Sequence, residues 1–279
     1  MNPRPRFGAG YIRDELERIA GHLQTEVQAY LIGGGAMSLR ELKDTTKDID
    51  LVVTTEAEYE RLLGTLTEMG YEEVTNLSDD YRQLGARHCV RNEDGCQLDL
   101  FNRQIANKLV FSAGMAERSE PFLSEEPLSV GLVALEDIFL FKCVAERPDD
   151  IDDMATLVQT DLDFEAIEKE LETQADLLGG EFFTTVVSES LERLDELHGI
   201  QTPLDPVIRE YYERFMQGYE VQMVLDETTP KSVGELADTL GLTEDEIERR
   251  VEYLEAHGFA ERTAAGVRDT GKSDDFEAE

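Results

Sequence analysis

The sequence predicts an α+β protein: a small mixed sheet covered by helices, then a helical region, then a helix-turn-helix closed by a short β-wing. Three observations predict it. Short apolar runs alternate with helical periodicity over the first third, and helical periodicity alone runs from residue 135 to about 225. Near the end, two capped helical segments precede a pair of short extended segments joined at Gly266. The expected divisions are residues 1–125, 126–226 and 227–270, with a disordered polar tail at 271–279.

The elements follow in order. Residues 11–24 carry a helical pattern, and Val27–Ile32 is a short apolar strand running into Gly33-Gly34-Gly35. Residues 36–42 are again helical, and 49–53 form a strand with polar punctuation on both sides. Over 56–69, Tyr59, Leu62, Leu63, Leu66 and Met69 recur at helical spacing. Residues 84–91 and 96–101 are extended, and Asn92-Glu93-Asp94-Gly95 between them predicts a hairpin. Helices are expected at 135–146, 150–159, 164–178, 181–198 and 205–225, with Pro203 and Pro206 marking the last break.

Charge is the unusual part of the composition. There are 62 acids against 26 bases, a net charge of −36, and only seven of the bases are lysine. Such a surface resembles that of proteins from salt-in halophiles, in which high ionic strength screens the self-repulsion. In concentrated salt, phosphate attraction weakens for every protein, so an acidic balance does not exclude a nucleic-acid substrate. The N-terminus, Met1-Asn2-Pro3-Arg4-Pro5-Arg6, lacks a secretory pattern, and no apolar run approaches the length of a membrane span. A cytoplasmic protein with no membrane partner is expected. Cys89, Cys96 and Cys143 are odd in number and not spaced as metal ligands. His22, His88, His198 and His257 are scattered, so no zinc site is expected.

Asp-x-Asp occurs three times, at Asp48/Asp50, Asp150/Asp152 and Asp161/Asp163. Only the first opens an apolar strand, where a period of two puts both carboxylates on one face. Two like charges so placed repel, and a hard dication such as Mg²⁺ relieves them. Upstream, the strand ending at Ile32 meets Gly33 and Gly34, which let backbone N–H groups approach phosphate oxygens. Downstream, Asp99 stands among apolar residues in Gln97-Leu98-Asp99-Leu100-Phe101.

Ile32-Gly33-Gly34, a thirteen-residue spacer, Asp48-Ile49-Asp50 and then Asp99 on a later strand resemble the polymerase-beta-like nucleotidyltransferase superfamily. The stretch from Gly34-Gly35-Ala36-Met37-Ser38-Leu39-Arg40 through Thr46-Lys47-Asp48-Ile49-Asp50 is most similar to the abortive-infection toxin branch and its uncharacterised relatives. The likeness covers roughly residues 25–155. It implies a two-metal site in which Asp48, Asp50 and Asp99 hold Mg²⁺ against an NTP and Gly33 and Gly34 cradle its phosphates. The product would be a nucleoside monophosphate on an acceptor hydroxyl, with tRNA or another RNA as acceptor.

Residues 138–145 are apolar nearly all round, which marks a buried helix, and Lys142 is their only cation. A buried ammonium needs a partner. The candidates are the carboxylate site or a nucleotide phosphate, or else Glu146 or snorkelling to the surface. Similar nucleotidyltransferases carry Arg-x-Lys-Asp-x-x-Asp after this lysine. Here the segment is Arg147-Pro148-Asp149-Asp150-Ile151-Asp152-Asp153, with Asp149 in place of the motif's lysine. Lys142 is taken as nucleotide-binding, and Asp150 and Asp153 as helix-start residues. Arg40, Lys47, Arg87 and Arg91 suit phosphate contact or a solvated surface equally.

Residues 230–269 resemble a winged helix-turn-helix, with Thr243 and Glu246 as a capping box. The would-be recognition helix carries Glu244, Asp245, Glu246, Glu248, Glu252 and Glu255 against Arg249 and Arg250, with Arg262 and Arg268 on the wing. A DNA partner and a protein partner are both compatible with that pattern. Two other functions compete with an active transferase: a catalytically silent nucleotide sensor with a transcription-regulating tail, and an interaction protein of a toxin–antitoxin-type pair. The complete Asp triad favours the enzyme.

Overall fold

The computed structural model describes residues 4–75, 84–106, 108–125, 127–145, 147–178 and 181–272. The chain divides into two units, one of Met1–Gln174 with Glu192–Ile200, the other of Ala175–Leu191 with Gln201–Glu279. The expected disordered tail lies outside the described residues from residue 273 on, as does Glu146.

The first unit is built on a mixed sheet. Its strands are β1 (Val27–Ile32), β2 (Asp48–Val53), β3 (Glu72–Glu73), β4 (His88–Arg91) and β5 (Gln97–Asn102). After the separate two-residue pair β6 (Gln104–Ile105) and β7 (Leu109–Val110) come β8 (Glu120–Glu125) and β9 (Leu128–Leu132). The sheet order is β3-β4-β5-β2-β1-β9-β8. The pairs β2·β5 and β1·β9 are parallel, and the other neighbours are antiparallel. Helices α1 (Ala9–Ala20), α2 (Gly33–Leu39), α3 (Glu56–Glu68), α4 (Ala113–Arg118), α5 (Leu135–Ala145), α6 (Pro148–Leu157) and α7 (Phe164–Leu178) accompany it.

Local chemistry explains the elements that matter for the site. In β2, Ile49, Leu51, Val52 and Val53 are all fully buried, as in a strand covered on both faces. Thr55 caps α3 by accepting from the Glu58 N–H, and the helix buries Tyr59, Leu62 and Leu66. The sheet is thus the mixed, helix-covered one expected. Two details differ. Helix α2 begins at Gly33, three residues earlier than expected, because one residue at φ +62° makes the whole turn and leaves Gly34 and Gly35 helical. The hairpin β8–β9 was not anticipated: Pro121, Pro127 and Gly131 blur its strand signal, and β9 finds its partner in β1, far away in sequence.

The second unit contains α9 (Leu204–Gln222), α10 (Val233–Leu240), α11 (Glu244–Ala256) and a hairpin of β10 (Ala260–Thr263) and β11 (Gly266–Asp269). The intervening α8 (Phe183–His198) contributes residues to both units. Capping boxes open α10 at Ser232 with Glu235 and α11 at Thr243 with Glu246, and Gly241 closes α10 in the left-handed conformation. Val221, Leu236, Ile247, Val251, Leu254, Phe259 and Val267 form its apolar core.

Candidate active site

Strand pairing assembles the carboxylates. The parallel register of β2 and β5 sets Asp50 opposite Asp99 and Asp48 opposite Gln97. All four side chains share a face because alternate strand residues do. On the other side of β2, the antiparallel register sets Ile32 opposite Asp50, which brings Gly33 against the Asp50 carboxylate. A Cβ at Gly33 would lie well inside contact distance of Asp50 Oδ2, and one at Gly34 would lie 2.8 Å from Thr46 Oγ1. Glycine is required at Gly33 on both counts, space and positive φ.

Each carboxylate has a distinct environment. Asp48, 7% exposed, is ion-paired with the Arg4 guanidinium, which also donates to the Lys47 carbonyl at 3.3 Å. Asp99 Oδ1 accepts from Gln97 Nε2 at 2.7 Å, and Gln97 Oε1 in turn accepts from Arg91 Nη2 at 2.9 Å, which fixes the amide's orientation. Asp99 Oδ2 is buried without a hydrogen-bond partner. Asp50 is enclosed by protein yet open to a cleft.

Burial and like charge push both Asp50 and Asp99 above the usual carboxylate range. For Asp50, burial is the largest cause, then Asp99 and Asp48, with Arg147 and Lys142 opposing. For Asp99, burial is followed by Asp48, with Gln97, the Cys89 thiol across the ladder and Arg4 opposing. The thiol does not reach hydrogen-bonding geometry with Oδ2. Among the described residues, no three His, Cys, Asp or Glu side chains are gathered so as to hold a metal ion as they stand. The donor set nonetheless fits Mg²⁺: hard carboxylate oxygens on one sheet face, one of them, Asp99 Oδ2, a buried acceptor with no hydrogen bond of full geometry and only the weak Cys89 thiol beside it.

The cleft at Asp50 has a volume of about 540 Å³ and is lined by Gly34, Asp48, Asp50, Lys142, Arg147 and Asp150, among other residues. Arg6, Lys43 and Lys47 also line it. Three of the chain's seven lysines therefore face one cleft of a protein with a net charge of −36. Lys142, on α5, is buried and donates to Asp150 Oδ1 at 2.6 Å, with Asp153 Oδ2 at 2.7 Å. Burial alone would lower its pKa; Asp150 and Asp153 outweigh that and hold the ammonium above its ordinary value. Asp150 also takes Arg147 Nε at 2.7 Å, and Asp153 takes Lys43 Nζ at 2.6 Å. The partners of Lys142 are thus acids of the next helix, and Asp150 and Asp153 do more than start α6. They hold three cations at the edge of the cleft.

The structure brings the sequence-derived residues together. Asp48, Asp50, Gly34 and Lys142 line the one cleft, and Gly33 and Asp99 adjoin Asp50. Lys47 is at the cleft too, 3.7 Å from Asp149. Arg91 acts through Gln97, Arg87 pairs with Glu56 at 2.6 Å, and Arg40 reaches the Leu132 carbonyl. Arg4, Arg6, Lys43 and Gln97 escaped sequence reasoning. Gln97, two residues before Asp99 on the same strand, carried a usable signal; the arm residues carried none.

In the second unit, three of the four arginines that would meet nucleic-acid phosphate are engaged by glutamates. Arg250 pairs with Glu220 at 3.0 Å, Arg262 with Glu255 at 2.9 Å and with Glu248, and Arg268 with Glu261.

A helix-covered mixed sheet that presents two aspartates from one strand, a third from its parallel neighbour and a glycine turn beside them is the make-up of a nucleotidyltransferase-type domain. The family model described as "Nucleotidyltransferase of unknown function (DUF6036)" matches residues 11–181, and the chain belongs to that family. No curated protein matches the chain. No described helix is long and apolar enough to cross a membrane.

Proposed function

We propose that the protein is a Mg²⁺-dependent nucleotidyltransferase that moves a nucleoside monophosphate from an NTP to an acceptor hydroxyl and releases pyrophosphate. The observation that carries this reading is Asp50 facing Asp99, with its orphaned Oδ2, beside a glycine turn and under a lysine-lined cleft. Asp48, Asp50 and Asp99 would hold the metal, which supplies charge neutralisation at the triphosphate and a more acidic attacking hydroxyl. Gly33 and Gly34 let the phosphates approach the backbone. Lys142, Lys43 and Arg147 then balance their charge, each exchanging part of its bond to Asp150 or Asp153 for a phosphate oxygen.

The acceptor we favour is RNA, tRNA included, in a toxin-like reaction, on the likeness of residues 34–50 to that branch. Residues 230–269 would then dock the acceptor or a protein partner. A DNA-binding role is less favoured, because Arg250, Arg262 and Arg268 would first have to leave their glutamates.

The test is incubation with each α-³²P-labelled NTP, Mg²⁺ and total RNA in concentrated KCl, with the Asp50→Asn variant alongside. Label transferred to RNA by the wild type alone is the expected result. Nucleotide binding without transfer to any acceptor would replace the enzyme by the sensor reading.

A further inference from the structure

Arg4, on the N-terminal arm, enters the candidate metal site. Phe7 forms a two-bond bridge with Thr46, its N–H donating to the Thr46 carbonyl at 2.8 Å and accepting the Thr46 N–H on its own carbonyl at 2.9 Å. Its ring is buried against Tyr11, with centroids 4.3 Å apart. Pro5 packs on Gly95, where an added Cβ would stand 3.1 Å from the ring. With the arm pinned at Pro5 and Phe7, Arg4 is delivered to Asp48, and its guanidinium is a quarter exposed while the carboxylate is nearly buried. Proline's fixed φ makes this placement cheap in chain entropy.

We propose that Arg4 is a tethered counter-ion that a divalent metal must displace from Asp48, so that the arm sets the metal affinity of the site. This rests on the reading of Asp48, Asp50 and Asp99 as the metal site. Three carboxylates on one face repel, and the guanidinium neutralises Asp48 while also drawing down Asp99. The same bond occupies Oδ1, one of the two oxygens that Asp48 could offer a metal, and a guanidinium and a dication repel each other. Occupancy of Asp48 by one therefore opposes the other.

The experiment is calorimetric titration of Mn²⁺, without nucleotide, into full-length wild type, Arg4→Gln, Arg4→Lys and Arg4→Gln/Asp48→Asn, all at the same high KCl to screen the acidic surface. Arg4→Gln should bind Mn²⁺ about three- to tenfold tighter than wild type, the range for releasing a partly buried ion pair. Arg4→Lys should stay near wild type, and the double variant should lose the gain. Equal affinity in wild type and Arg4→Gln, or a gain that survives Asp48→Asn, would overturn the arm's role while leaving the metal site standing. Failure of every variant to bind Mn²⁺ would overturn the metal-site reading, and this proposal with it.

Discussion

Asp50 and Asp99 are Cα partners in the parallel ladder between β2 and β5, and both carboxylates are driven toward the protonated form, Asp50 by burial and then by Asp99 and Asp48, Asp99 by burial and then by Asp48. A fold that only needed stability would not place them so. Asparagine at either position would be nearly isosteric and free of the repulsion, which makes the arrangement a cost met for function.

That cost is measurable. Asp50→Asn should raise the melting temperature of the metal-free protein in dilute salt, by a gain of about 1 kcal/mol, because one of three like charges is removed. The gain should shrink as KCl is added. A lower melting temperature for the variant would show that Asp50 stabilises the fold.

Gly33 and Gly64 make a matched pair. Gly33→Ala forces a side chain into φ +62° and against Asp50 Oδ2, so a loss of about 1–2 kcal/mol is expected. Gly64 lies within α3 with nothing within 4 Å of an added Cβ, and Gly64→Ala should gain about 0.5–1 kcal/mol. Urea unfolding of the two variants checks both signs.

Lys142→Met should be more harmful than Lys43→Met. Lys142 is buried between Asp150 and Asp153, so its loss leaves buried acids short of charge, a cost of about 3 kcal/mol. Lys43 is about a quarter exposed and solvent can replace it, so roughly 1 kcal/mol is expected. Denaturant midpoints with unchanged slopes would report the difference.

Acid sensitivity should run through Glu15. Its burial alone would raise its pKa, but bonds from Arg18, Tyr71 and Asn92, the last at 2.7 Å, outweigh that and hold it below the ordinary 4.5. A depressed folded pKa means that the stabilisation is present above the unfolded value and is lost as pH falls through the folded one. The stability difference between wild type and Glu15→Gln should therefore be largest near about pH 7 and shrink below about pH 4. A difference independent of pH would exclude Glu15 as the titrating group.

Salt should stabilise the whole molecule. With a net charge of −36, the melting temperature is expected to climb with KCl up to about 2 M as repulsion is screened. A flat profile would reject the halophilic reading of the composition.

Much of this was legible in the residues themselves. The alternation Asp48-Ile49-Asp50 within β2, the turn at Asn92–Gly95, the helices from residue 135 on and the box of Thr243 with Glu246 are local signals, written in spacings of two to four residues, and local backbone geometry obeys them. The sequence by itself therefore determined that Asp48 and Asp50 share a face and where the helices run from residue 135 on, while the short α4 carried no such signal. Only the tertiary structure decided that β9 lies beside β1, that Arg4 reaches Asp48, and that Lys142 and Lys43 meet at Asp153. Those pairings join residues far apart in the chain, and a charged group takes whichever opposite charge the sheet order brings within reach. No periodicity encodes that choice, because it exists only once the strands are in register.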